Sequence, residues 1–251
     1  QFFRIHMSPE RGNGCLMNRN PGIRRHLIDL FKQSVDLAAE FPGADILVWL
    51  SNDGYDYPFK DDYARRWDML MDALSELCEY LSDVKISLEY KPKEPRIHQY
   101  VANYGISLFM CEKLKYPNLG VVMDIGHSFN AGENPAEAVA ILNKYGRLNH
   151  IHLNDNYGSW DDDLIFGSIH FWETLEIFYI LNKIGYDGWM SLDIWPARGD
   201  GLKALQESVD RVYMFHEIAK RIPKEEIDKL QAENQREDIL KILRKCSFNH
   251  E

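Results

Sequence analysis

The 251-residue sequence has no CxxC pair; its four cysteines, Cys15, Cys78, Cys111 and Cys246, are scattered. That spacing points to neither a zinc ribbon nor a disulfide framework, and it favours a reducing, cytoplasmic setting. No glycine-rich loop of the GxGxxG or P-loop type follows an apolar run, which weakens a nucleotide-binding reading. No apolar run reaches the ~18 residues needed to span a bilayer, and no signal-peptide pattern is present. Positive charge is also scarce: 29 Lys and Arg face 39 Asp and Glu, for a formal net charge of −10. General nucleic-acid binding rests on neutralising phosphates, so this balance argues against it. It suits a cation site and a neutral small-molecule substrate instead. The first residue is Gln1 and the chain enters at once into an apolar stretch, FFRIHM. Preceding residues are therefore expected.

Short apolar runs alternate with longer helical patterns. The runs cover residues 2–7, 45–50, 84–90, 119–125, 150–154 and 188–194. Helical periodicity covers residues 24–40, 63–81, 97–113, 135–145, 170–184 and 201–221. This alternation predicts βαβ units and a parallel sheet buried on both faces. Six such units fit a doubly wound sheet, or part of an eight-unit barrel. The strand ends favour the barrel, because nearly all carry ionisable residues: Glu89, Asp124, His152 and Asp193. Residues 1–221 are thus expected to form the barrel and residues 222–251 a charged helical extension.

Residues 149–168, NHIHLNDNYGSWDDDLIFGS, join a strand bearing His150 and His152 to a loop bearing Asp161, Asp162 and Asp163. Imidazole and carboxylate together suit divalent cations. Each acid also has a plainer reading. Glu89 and Lys91 lie two apart on one face and could form a structural ion pair. Asp124 could cap the following helix, Asp161 to Asp163 could be a solvated loop, and Asp193 could form a turn. Gly126 is read as the turn that swings Asp124 and His127 together. His150 is read as a deeper, supporting residue and Asp162 as a bystander. Taken together, Glu89, Asp124, His152 and Asp193 would form one cation site at four strand ends. His127, Asp161 and Asp163 could hold a second cation, with Asp124 bridging.

Four segments in order along the chain carry a resemblance to the xylose isomerase-like TIM barrels, specifically the two-metal sugar isomerases of the xylose and L-rhamnose isomerase type. LEYKPKEPR resembles the segment with a metal-binding Glu, a catalytic Lys and a following acid, implying Glu89, Lys91 and Glu94. WLSNDGYDYP resembles the strand end whose Trp lines the sugar pocket, implying Trp49. DDDLIFGS resembles the D-x-D-L-x-F-G segment of the second metal, implying Asp161 and Asp163. SLDIWP resembles the segment with the last aspartate of the fixed metal, implying Asp193. An Asp at 124 and a His at 152 are closer to L-rhamnose isomerase and the ketose 3-epimerases than to xylose isomerase. The epimerases lack the second-metal aspartates and carry Glu where this chain has Asp193.

The resemblance implies a (β/α)8 barrel present here as about six units, with the N-terminal two missing. It implies an aldose–ketose isomerase acting on an unphosphorylated monosaccharide with two divalent cations, Mn2+, Mg2+ or Co2+. Lys91, Asp161 and Asp163 would be catalytic, and Trp49, Lys91 and His127 would contact the sugar, with a further aromatic near Phe2 or Phe3. A homo-oligomer, dimer or tetramer, is implied as well. The alternatives are a one-metal ketose 3-epimerase and a partial barrel acting as a sugar-binding or partner subunit. A nuclease of the same barrel type is disfavoured by the acidic charge.

Overall fold

The computed structural model describes residues 11–248 except Ser51, Pro95 and Ala197. The apolar run at 2–7, with Phe2 and Phe3, lies outside the described residues.

Helix α1 (Pro21–Ala39) begins where the Asn20 side chain accepts from the amides of Gly22 and Ile23, with proline in the first turn. Its apolar stripe, Leu27, Ile28, Phe31, Val35 and Ala38, is buried. Strand β1 (Asp45–Trp49) follows, then β2 (Gly54–Tyr55), α2 (Tyr63–Tyr80), β3 (Lys85–Glu89), β4 (Lys93–Glu94), β5 (Ile97–Gln99) and α3 (Tyr104–Leu114). The chain continues through β6 (Leu119–Asp124), α4 (Ile125–Asn130), α5 (Pro135–Lys144), β7 (Leu148–Leu153), α6 (Phe171–Ile184), β8 (Trp189–Leu192) and α7 (Gly201–Arg221). Two further helices, α8 (Lys224–Ala232) and α9 (Arg236–Phe248), close the described chain.

Five strands form one sheet in the order β1-β3-β6-β7-β8, and every pairing is parallel. The strands therefore advance in chain order, each step passing through at least one helix. A doubly wound sheet reverses direction at a switch point, whereas a barrel keeps advancing. The sheet is an arc of a barrel. Its middle strands β3 and β6 are almost wholly buried, while β8, at one margin, is exposed at Trp189 and Met190.

The periodicity at residues 97–113 misleads at its start. Residues Ile97–Gln99 form β5, which pairs antiparallel with β4 and β2 in a second, three-stranded sheet. The helix starts only at Tyr104, because the Asn103 side chain accepts from the Ile106 amide and caps it there. The short helix α4, directly after β6, is a further element the apolar pattern did not reveal.

Candidate metal centre

The sheet register brings the strand ends into line. Trp49 pairs with Glu89, Glu89 with Val122, Asp124 with His152, and His152 with Ser191. Asp193 follows β8 directly, and its amide donates to the Leu153 carbonyl at 3.1 Å. One donor atom from each of Glu89, Asp124, His152 and Asp193 lies within 4.8 Å of the others. His152 is at the centre: its Nδ1 is 3.1 Å from Glu89, 3.4 Å from Asp193 and 3.7 Å from Asp124. Glu89 is 2% exposed and Asp124 0%. Three carboxylates crowded in so little solvent repel one another unless positive charge joins them. The donor set, three carboxylates and an imidazole, suits a divalent cation of the magnesium, manganese or cobalt kind.

The electrostatics record the same need. Burial opposes charge on His152, yet Glu89, Asp193 and Asp124 together hold its pKa well above the usual histidine range. His127, also buried, is pushed up to about 9 by Asp124, Asp161 and Glu89. Burial, together with Asp161, Asp193 and Asp124, raises Asp163 to about 8. Without a cation, the two histidine rings would carry the compensating charge.

Asp124 does two things at once. Its Oδ1 accepts from the His127 amide at 2.8 Å and caps α4, while its other oxygen faces His152. The capping and ligand readings of this residue are compatible. Gly126, expected to turn the chain, instead lies inside α4. Glycine is needed there for close approach: an added Cβ would lie 2.7 Å from Asn154 Oδ1 and 2.8 Å from Asn156 Nδ2. Asn154 accepts from the Gly126 amide at 2.7 Å and donates to both Asp124 oxygens. Asn156 donates to the Gly126 carbonyl. These asparagines escaped the sequence reading, although the polar run LNDN directly after an apolar strand was a visible signal.

The second group lies alongside. His127 Nε2 is 3.2 Å from Asp161 Oδ2, and its Nδ1 is 3.6 Å from Glu89 and 3.8 Å from Asp124. Lys91 Nζ is 2.7 Å from the same Asp161 oxygen and also pairs with Glu94. Burial disfavours charge on Lys91, but Asp161 and Glu94 outweigh it and keep the ammonium. Trp49 closes one side, its ring centroid 5.2 Å from Lys91 Nζ. Two buried atoms, His127 Nδ1 and Asp161 Oδ1, make no hydrogen bond among the described residues. Asp163 has a left-handed backbone, φ 48°, and its carbonyl accepts from the Trp195 amide. Asp162 turns away and accepts from the Tyr157 amide. The structure thus brings His127 and Asp161 together, but with Asp161 also paired to Lys91, which pairs with Glu94 as well. Asp161 and Asp163 do not join the compact four-residue cluster, which is the one such group found among the described residues. The loop that carries them is tied down by Asp155, which accepts from the Ile169 and His170 amides and from the His170 ring.

An arc of parallel strands whose C-terminal ends converge on buried acids and a histidine defines a metal-capable (β/α) barrel. The family model for the xylose isomerase-like TIM barrel matches residues 6–214, and the chain belongs to that family. The xylose isomerase of Thermus thermophilus is 29% identical over 216 residues, covering 82% of this chain and 56% of its own length. The chain therefore spans about half the length of this curated relative. Among solved structures, a D-tagatose 3-epimerase-like protein superimposes with a TM-score of 0.68 at 24% identity, covering 82% of this chain and 74% of its own. An L-ribulose 3-epimerase gives a TM-score of 0.70 at 15% identity, covering 86% and 75%. At these identities the two structures establish likeness of fold. No helix among the described residues is long and apolar enough to cross a membrane.

Proposed function

We propose that this chain carries the site of a divalent-metal-dependent aldose–ketose isomerase acting on an unphosphorylated monosaccharide. The observation that carries this reading is Asp161 held against both His127 and Lys91 beside the four-residue cluster. An epimerase site with one cation has no use for that extra carboxylate. Glu89, Asp124, His152 and Asp193 would hold one cation, and Asp124, His127, Asp161 and Asp163 a second. Bound there, the cations supply Lewis-acid stabilisation of charge on the sugar oxygens. The chain's own groups do the rest. Lys91, kept as an ammonium, donates a hydrogen bond to the sugar carbonyl oxygen and offsets negative charge that develops there. Trp49 walls the reacting carbons from water, so that a hydride passes from C2 to C1 without exchange while the O2 hydroxyl gives up its proton and O1 gains one. His127 orients the sugar through its ring nitrogen.

A second reading, a one-metal ketose 3-epimerase, draws on the compact four-donor cluster, the one such group among the described residues, which Asp161 and Asp163 do not join. Turnover in D2O separates the two: hydride shift leaves the reacting carbon unlabelled, and proton abstraction deuterates it. Replacing Asp161 and Asp163 together by alanine is expected to abolish isomerisation while one Mn2+ per chain still binds in calorimetric titration. Unchanged activity across a panel of aldoses and ketoses, or loss of all metal binding, contradicts the two-cation site.

Assembly into a homo-oligomer belongs to the same proposal. The margin strand β8 exposes Trp189 at 66% and Met190 at 39%, and the next turn exposes Trp195 at 66%. Exposed aromatic side chains of this kind suit contact with a second copy of the chain. Light scattering coupled to size exclusion is expected to give a mass of at least twice the chain's 29.4 kDa.

A further inference from the structure

Beneath the carboxylates, inside the curve of the sheet, polar side chains from four strands bond to one another. Ser87 on β3 donates to Asp45 on β1 at 2.8 Å and accepts from Asn149 on β7 at 2.9 Å. Asn149 is the extra residue of a register shift: Val121 pairs with Leu148 and Val122 with His150. Gly120 opposite makes the room, since a Cβ there would lie 2.4 Å from Asn149. His150 is the centre of this layer. Its Nε2 is 2.7 Å from Ser191 Oγ on β8, and its Nδ1 is 3.5 Å from Asp45 Oδ1. The hydrogen bond to Ser191 at one nitrogen and the longer polar contact with Asp45 at the other favour one orientation of the imidazole. In that orientation it stands edge-to-face with His152, ring centroids 5.1 Å apart and planes at 86°.

We propose that His150 is a positioning residue for the candidate metal centre: held by Ser191 and Asp45, it braces the His152 ring so that Nδ1 faces Glu89, Asp124 and Asp193. This rests on reading those four residues as metal ligands. A ligand imidazole must present one nitrogen at a fixed place, and losing a group that fixes its plane typically costs roughly 10- to 100-fold in metal affinity. In most metal sites the bracing is a hydrogen bond to the second ring nitrogen. Here a second histidine ring does it by packing, and that ring is itself fixed by a serine and an aspartate on the two margin strands. Ser191, His150 and Asp45 also have the order of a nucleophilic relay. The 3.5 Å gap to Asp45 is long for a hydrogen bond, and Ser191 lies within β8 below the strand end that carries Asp193.

The test is Mn2+ affinity by isothermal titration of the purified protein and four variants, with apo-protein melting temperature as the control. His150→Ala is expected to weaken binding roughly 10- to 100-fold and Ser191→Ala roughly 10-fold, whereas Ser191→Thr, which keeps the hydroxyl, restores it. Phe178→Leu, in the helix layer away from the site, is expected to lower the melting temperature and leave affinity alone. Should His150→Ala fail to fold, the Ser191 pair decides. Wild-type affinity in both His150→Ala and Ser191→Ala overturns the proposal, as does an equal loss of affinity in Phe178→Leu or covalent labelling of Ser191 by a fluorophosphonate. A wild-type protein that binds no Mn2+ removes the metal centre itself, and the bracing role with it; a wild type that binds with indifferent variants removes only the brace.

Discussion

At the scale of single residues, the site is a place where protons and a bound cation would compete. His127 has a pKa of about 9 because Asp124, Asp161 and Glu89 overcome the penalty of burial. Its folded pKa is raised, so its contribution to stability is complete below the unfolded value near 6.5 and is lost as pH rises through about 9. A shift of this size corresponds to up to about 3 kcal/mol. Burial and the neighbouring acids raise Asp163 to about 8, and that shift has the same sign. The metal-free protein is therefore expected to melt at progressively lower temperature between pH 6.5 and 9. With saturating Mn2+ the ion replaces the protons, and the slope should flatten or reverse. Melting curves in chelator and in Mn2+ across that range check this; parallel slopes would argue against the ion occupying this cluster. Several of these residues were legible in the sequence because a carboxylate or imidazole at the end of an apolar strand is costly without a partner. Glu89, Asp124, His152 and Asp193 all stood out that way. Asn154 and Asn156 did not, because neutral amides carry no such penalty signal and their partners lie 28 to 30 residues away.

At the scale of elements, the tight joint is between α4 and the chain leaving β7. Gly126 lets two asparagines reach the helix, and one of them holds the Asp124 carboxylate. Both amide groups that a Cβ would strike are anchored by hydrogen bonds, so neither can swing aside without losing one. Gly126→Ala is expected to cost about 1–3 kcal/mol in denaturant unfolding, through overpacking, and to weaken Mn2+ binding with it. A stable variant with normal affinity would show that the joint yields freely. The same scale shows where periodicity succeeded and failed. Helices α1, α2, α5, α6 and α7 bury recurrent apolar stripes, and their bounds lie close to those expected from the pattern. Residues 97–99 were misassigned because three residues are too few to distinguish an alternating pattern from a helical one, and the partner strands β2 and β4 are only two residues each.

At the scale of the whole molecule, the parallel arc follows from the alternation of apolar runs with helices, and the direction of winding follows from the acids at the strand ends. The extent of the arc was less readable, since one expected strand lies outside the described residues. The four clustered donors are contributed by β3, β6, β7 and the segment after β8, so the cluster joins residues from Glu89 to Asp193. Those contacts are distant in sequence, and distant contacts are slow to form. An ion held by this cluster would therefore bind late in folding. During refolding from denaturant in the presence of Mn2+, helical circular dichroism should recover first, and the free-Mn2+ EPR signal should fall only afterwards. Simultaneous recovery would mean the cluster nucleates the fold rather than completing it. In the late-binding order, ion uptake would mark chains that have finished folding, and a cell poor in the ion would accumulate chains that are folded but not yet locked.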